Sequence, residues 1–238
     1  GNYYTYGGGI YCSGSSPHLE NLAVMRNLAD VGGGFYIENS SITLYRVSIT
    51  GNKGIQRGGG VYVLNSELDF MNITVAANMS DYSGGAYIID SDIVLINSIL
   101  WGNWDNYGYQ AAVGYDIIPS EITIISTIIQ EGLDGIDNPG NWNIFPESSE
   151  SPITDSPLFV TPLYPNEDDE PTIGGDFHLL SLSPCIDSGH PEAPYDPDST
   201  IADIGAYYFD QYEGLDDFPG FIFGDYDSGI NSIPYFDD

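Results

Sequence analysis

The chain has 238 residues and carries 35 carboxylates against 4 Lys plus Arg, a formal charge of −31. Such a surface repels phosphate backbones, whose binding depends on Lys and Arg displacing counterions, so nucleic acid is not an expected partner. Its apolar runs fall short of the ~20 residues a membrane-spanning helix needs, and no basic segment followed by an apolar core marks a leader. The expectation is a soluble chain, or a mature form whose leader has been removed. A 42% hydrophobic content is enough for a buried core.

From the first residues onward the glycines recur. Gly7-Gly8-Gly9, Gly32-Gly33-Gly34 and Gly58-Gly59-Gly60 are followed by Ser83-Gly84-Gly85 and, degenerated, by Gln110-Ala111-Ala112, at spacings of 25, 26, 25 and 27. After each comes an apolar residue, and in four of five an aromatic: Tyr11, Tyr36, Tyr62 and Tyr87. A second column reads Leu19, Leu44, Phe70, Leu95, Ile124, and a third Val24, Ile49, Val75, Leu100, Ile129. Asn27, Asn52, Asn78 and Asn103 close four units in one register. Runs such as "SITLYRVSIT" alternate with period two and are β-branched, which argues strands rather than helices. One unit cannot bury its apolar side alone and must stack on the next. The reading is an all-β chain, a parallel β-helix of five windings over 1–132. Aligned Asn side chains then hydrogen-bond up and down the stack, and the triple glycine serves a corner needing positive φ or close backbone approach.

Past Leu133 the repeat fades. Residues 133–210 read as a loop-rich cap or flank on the last windings, with long loops from Asn138 to Gly175, a short strand and turn in "DFHLLSLSPCIDSG" and a final strand in "IADIGAYYFD". Residues 211–238 form an acidic, aromatic tail. The first glycine triplet leaves no room for an N-terminal cap, which suggests a processed product or a first winding covered by another subunit.

The segments "YGGGIYCSGSSPHLENL", "DSDIVLINSILWGN", "DSPLFVTP", "GGDFHLLSLSPCIDSG" and "ADIGAYYFD" resemble the choice-of-anchor β-helix proteins of bacterial surfaces, related in style to polymorphic outer-membrane protein repeats. The resemblance implies a right-handed helix, secretion, and an extracellular or cell-surface location. It implies no activity.

Many parallel β-helices degrade polysaccharides, and a lyase would need a base with carboxylate-held calcium. The only cations are Arg26, Arg46, Lys53 and Arg57. Arg46 stands where other windings place Asn21, Asn72 and Asn97, and is expected to be a solvated charge, with facing inward or capping a turn as the alternatives. Glu67 with Asp69, and Asp90 with Asp92, have the spacing of a glycosidase carboxylate pair on one strand face. With 35 acids such pairs arise by chance, so no catalytic residue is assigned. His18, His178 and His190 carry no ligand spacing. Calcium is the expected cofactor, with oxygen ligands at Asp196, Asp198 and Asp203, or at Asp225, Asp227 and Asn231. The last group is EF-like, although Gly229 takes the third ligand's place and no Glu follows. Cys12 and Cys185 can be bridged within one chain, bridged between chains, or stay buried thiols. Asn39, Asn72 and Asn78 head glycosylation sequons.

The expected function is an extracellular structural β-helix that assembles head to tail with its own copies into a filament, sheath or surface layer. One alternative is an adhesin or carbohydrate-binding module that uses Tyr11, Tyr36, Tyr62 and Tyr87 as a stacking surface. Another is a polysaccharide lyase or hydrolase.

Overall fold

The computed structural model describes residues 5–114, 118–138, 143–146, 153–165 and 175–211. Each winding carries two or three strands. The first has β1 (Ile10–Ser13), β2 (His18–Met25) and β3 (Leu28–Val31); the second β4 (Phe35–Glu38), β5 (Ser41–Thr50) and β6 (Lys53–Arg57); the third β7 (Val61–Leu64), β8 (Glu67–Ala76) and β9 (Met79–Tyr82). The fourth holds β10 (Ala86–Ile89), β11 (Asp92–Ile96) and β12 (Ile99–Trp101), and the fifth β13 (Ala111–Gly114), β14 (Glu121–Ile125) and β15 (Ile128–Ile129). Stacking produces three parallel sheets: β1-β4-β7-β10-β13-β16, a long-strand sheet from β2 to β17, and β3-β6-β9.

The apolar columns lie in register as the repeat requires. Leu44 pairs with Leu19 and Phe70, Leu95 with Phe70 and Ile124, and Leu100 with Val75 and Ile129. Because side chains alternate across a strand, Phe35 and Ile37 enter the core while Tyr36 between them faces out. The interior is one cluster running from Cys12 to Ile136. Gly32 takes φ +67°, and a Cβ on Gly33 would lie 2.4 Å from the Lys53 carbonyl carbon, so the triplet meets both needs of its corner.

The asparagine column is a buried ladder. Asn52 donates through both its backbone N–H (3.0 Å) and its Nδ2 (2.9 Å) to Asn78 Oδ1, and Asn78 repeats this with Asn103 at 3.0 Å. Gln110 receives Asn103 and ends the run. A serine ladder runs parallel to it: the backbone N–H groups of Ser15, Ser40, Ser66 and Ser91 donate to the hydroxyls of Ser40, Ser66, Ser91 and Ser120.

Three expectations need correction. A sixth, partial winding follows residue 132: β16 (Ile136–Asp137) pairs with β13, β17 (Asn143–Pro146) with β14, and Ile153 bridges Ile128. Its Ile136 and Ile144 pack on the same core, and Gly135 keeps the last place of the glycine corner, accepting from Gln110 N at 2.8 Å, although the asparagine column has ended. "IADIGAYYFD" forms no strand; it lies along the windings, with Gly205 N donating to Asn97 O (2.8 Å) and Ala206 N to Thr74 Oγ1 (2.9 Å). Nor does the flank sit only on the last windings. Its hairpin β18 (Phe159–Thr161) and β19 (Asp176–Leu179) shares a second apolar cluster with Ala76, Ile99, Ile128, Cys185 and Ile204, and the segment beyond reaches back to the second winding.

Candidate functional site

The flank docks along one column. Asn21, Arg46, Asn72, Asn97 and Ser126 all have positive φ, between 42° and 54°, at a corner inside the long strands, a conformation Asn tolerates well. Asn72 Nδ2 donates to the Asp203 carbonyl at 2.7 Å, and Asn97 Oδ1 accepts from His190 N at 2.7 Å. Arg46 is neither solvated nor a turn cap. It bonds Asp196 Oδ1 at 2.8 Å and lies near the rings of Tyr45 and Tyr208.

Asp196 and Asp203 are buried, and their oxygens are already engaged. Asp196 Oδ2 accepts from Asp203 N (2.6 Å), while Asp203 accepts from Asp187 N (2.8 Å) and Phe209 N (2.6 Å). Asp198 accepts from Thr200 at 2.8 Å. Burial pushes Asp203 up to about 6, and burial likewise raises Asp196 against the Arg46 charge. These carboxylates therefore organise the flank's own backbone. Among the described residues no three His, Cys, Asp or Glu side chains converge on a metal position. Asp225, Asp227 and Asn231 lie outside the described residues.

The tyrosine column does not form an open platform. Tyr11, Tyr36 and Tyr62 stack nearly parallel, with centroids 5.4 and 5.0 Å apart, and Tyr87 follows at 5.6 Å. Tyr36, Tyr62 and Tyr87 are buried, and the faces of the inner rings are occupied by their neighbours; only Tyr11 is half exposed. The sequence alternation identified the column but gave no sign of Tyr6 and Tyr82 packing on it.

Cys12 and Cys185 are both free, buried thiols, Cys12 in the solenoid core and Cys185 in the flank cluster. Burial holds both above the ordinary thiol value, Cys185 at about 12. Because the thiolate is the reactive form, iodoacetamide at pH 8 is expected to label neither in the native protein and both in urea, as counted by intact mass.

The histidines have local partners: His18 pairs with Glu20 at 3.2 Å, and His178 with Asp176 at 2.7 Å while stacking on Tyr207. Of the sequon asparagines, Asn72 and Asn78 are buried and bonded, and Asn39 is exposed. Glu67 and Asp69 both point outward from β8, whereas Asp90 sits at a positive-φ corner (49°) before β11 rather than on a strand with Asp92.

An open concavity lies at the corner between the first sheet and the long-strand sheet. It is a trough of about 540 Å³ lined by Ser15, Asn39, Ser41, Asn65, Glu67, Asp90 and Asp92 among others. Asn65 Nδ2 donates to Asn39 Oδ1 at 2.7 Å, and Glu67, Asp92 and Glu121 follow one another in register. No family model, curated protein or solved structure matches the chain. The sequence signal for the trough was the recurrence of "ENSS", "LNSE" and "IDSD" after each first strand. It marks a corner residue, an inward serine that builds the ladder, and an outward polar group.

A second cleft, of about 450 Å³, opens where Pro194 of the flank overhangs the outer face of the long-strand sheet at Tyr45, Met71, Val94 and Ile96.

Proposed function

We propose that the protein is an extracellular, cell-surface β-helix that acts by binding, and that its corner trough takes a neutral, hydroxyl-rich polysaccharide. The observation that carries this reading is the trough itself. It crosses the strands, and successive windings line it with Ser15 and Ser16, then Asn39 and Ser41, then Asn65 and Glu67, then Asp90 and Asp92, at the strand spacing of ~4.8 Å. A polymer of repeating hydroxyls laid across the strands meets a hydrogen-bonding group at each of these steps. The carboxylates accept O–H donors and repel anionic chains. The surface location rests on the resemblance of the sequence to the choice-of-anchor β-helices, and calcium enters as a counterion to the charge of −31 rather than at a dedicated site. In affinity electrophoresis through gels containing neutral glycans, retardation is expected, and the double variant Asn65→Ala with Asp92→Ala should migrate freely. Unchanged mobility of the unaltered protein in every neutral glycan gel would overturn the reading.

A second reading, head-to-tail assembly of copies, is favoured by the identity of the columns from winding to winding. The first winding carries Tyr11, Ser15 and Asn27, the first members of the three columns, for another copy to continue. Monomeric light scattering at all calcium concentrations would remove it.

A further inference from the structure

The aromatic rings form a longer path than the sequence column. Tyr6 and Tyr11 both contact Tyr36, at 4.8 and 5.4 Å, and beyond Tyr62 and Tyr87 the path continues to Tyr82 (5.4 Å) and Tyr107 (5.8 Å). Both ends meet water: Tyr11 is 51% exposed and Tyr107 68%, while Tyr36, Tyr62 and Tyr87 are below 10% and Tyr82 is partly buried. Stability alone would need only flat apolar rings there. Three hydroxyls instead donate to carboxylates: Tyr11 closely to Glu38 Oε1 at 2.7 Å, Tyr36 more distantly to Glu38 Oε2 at 3.4 Å, and Tyr82 to Asp137 Oδ2.

Tyrosine loses an electron readily only if it also loses its phenolic proton, and a hydrogen-bonded carboxylate is a ready acceptor. The hydrogen bond to Glu38 holds Tyr11 protonated, and burial does so for Tyr36, Tyr62 and Tyr82, so ionisation before electron loss is disfavoured. The guanidinium of Arg57 lies 5.1 Å over the Tyr87 ring, and its charge disfavours a positive hole there. An oxidised state therefore crosses the middle of the stack and rests where a carboxylate takes the proton.

We propose that the tyrosine stack is a relay for one-electron oxidation, with proton-coupled sites at Tyr11 beside Glu38 and at Tyr82 beside Asp137. The co-reactant is an external one-electron oxidant of the peroxidase or photo-oxidant class. It takes one electron from the Tyr107 end; Tyr82 becomes a neutral radical as its proton passes to Asp137, and the oxidant is reduced by one electron. An electron then moves from Tyr11 through Tyr36, Tyr62 and Tyr87 to Tyr82. Asp137 returns its proton to Tyr82, and Tyr11 gives its own to Glu38. Two Tyr11 radicals from two chains couple at their ortho carbons, each carbon releasing a proton to water as the ring regains aromaticity and Glu38 exchanging its proton with solvent. The product is a dityrosine link that consumes two oxidant equivalents per bond.

The test is oxidation of the full chain by photo-oxidised ruthenium tris-bipyridine with persulfate, followed by peptide mapping of dityrosine. Tyr11 is the expected coupling residue. Tyr62→Phe keeps the ring but not the hydroxyl, and should cause loss of Tyr11 coupling with a gain at Tyr107. Glu38→Gln, an accessible change that does not threaten the fold, should abolish Tyr11 coupling and leave products at the off-stack, 67% exposed Tyr195 unchanged. Yields that simply follow exposure, with Tyr107 and Tyr195 above Tyr11 and neither variant altering the pattern, would overturn the relay. So would parallel loss at Tyr11 and Tyr195.

Discussion

Asn78→Ala is expected to lower unfolding stability by about 3–5 kcal/mol, a large part of the ~5–15 kcal/mol typical of a domain. Asn78 is fully buried and makes four bonds at once. It accepts from the backbone and side chain of Asn52, and its Nδ2 donates to Ile49 O (2.8 Å) and Asn103 Oδ1 (3.0 Å). Alanine leaves the Asn52 backbone N–H and the Ile49 carbonyl without that partner in a place water does not reach, and each such orphan costs roughly 1–3 kcal/mol. The position in the ladder matters. Asn27, at its edge, donates to Asn52 at 3.0 and 2.9 Å but is only partly buried, so Asn27→Ala should cost clearly less. Urea unfolding followed by far-UV circular dichroism measures both, and equal midpoints would show that the ladder is not cooperative.

The ladder, the apolar columns and the tyrosine stack were legible in the sequence for one reason. A solenoid repeats its local requirement at every winding, so one residue type returns at a fixed spacing and the columns can be read without knowing the fold. What was not legible does not repeat. Arg46 interrupts an asparagine column once, and its partner Asp196 lies 150 residues away; nothing local distinguishes it from a solvated cation. The sixth winding was missed because Ile136 and Ile144 pack on the interior and Ile153 on the flank cluster, while the glycine corner is reduced to Gly135 and the asparagine mark is absent. A terminal winding has no later neighbour that needs those marks. The acidic residues around Asp196 illustrate a different limit. Carboxylates in a Pro- and Asp-rich turn have the composition of a calcium loop, and only coordinates show that Asp196 faces Arg46 and Asp203 N while Asp203 accepts from Asp187 N and Phe209 N.

Arg46→Met should release the flank from the windings at neutral pH and spare it in mild acid. The methionine fills the space beside Tyr45 and Tyr208 but leaves Asp196, its side chain 2% exposed, with no counter-charge. Removing one partner of a buried pair costs about 3–5 kcal/mol. The pH dependence has a definite sign. Asp203, at about 6, and Asp196 are both raised when the flank is docked, above the ~3.9 of a free aspartate. Over that interval the docked state binds more protons, so docking weakens as pH rises and levels off above the folded value. Nearby Asp187, and for Asp196 also Asp198, add repulsion in the same direction. Ordinary carboxylates stay ionised between pH 5 and 7, so a change in that window is not a general relief of carboxylate charge. Hydrogen exchange over residues 186–209, corrected for intrinsic rates, should therefore show near-normal protection for the variant at pH 5 and strong loss at pH 7, with a smaller trend of the same sign in the unaltered chain. Equal loss at both pH values would mean that Arg46 holds the flank by stacking on the two tyrosine rings and that its charge contributes little.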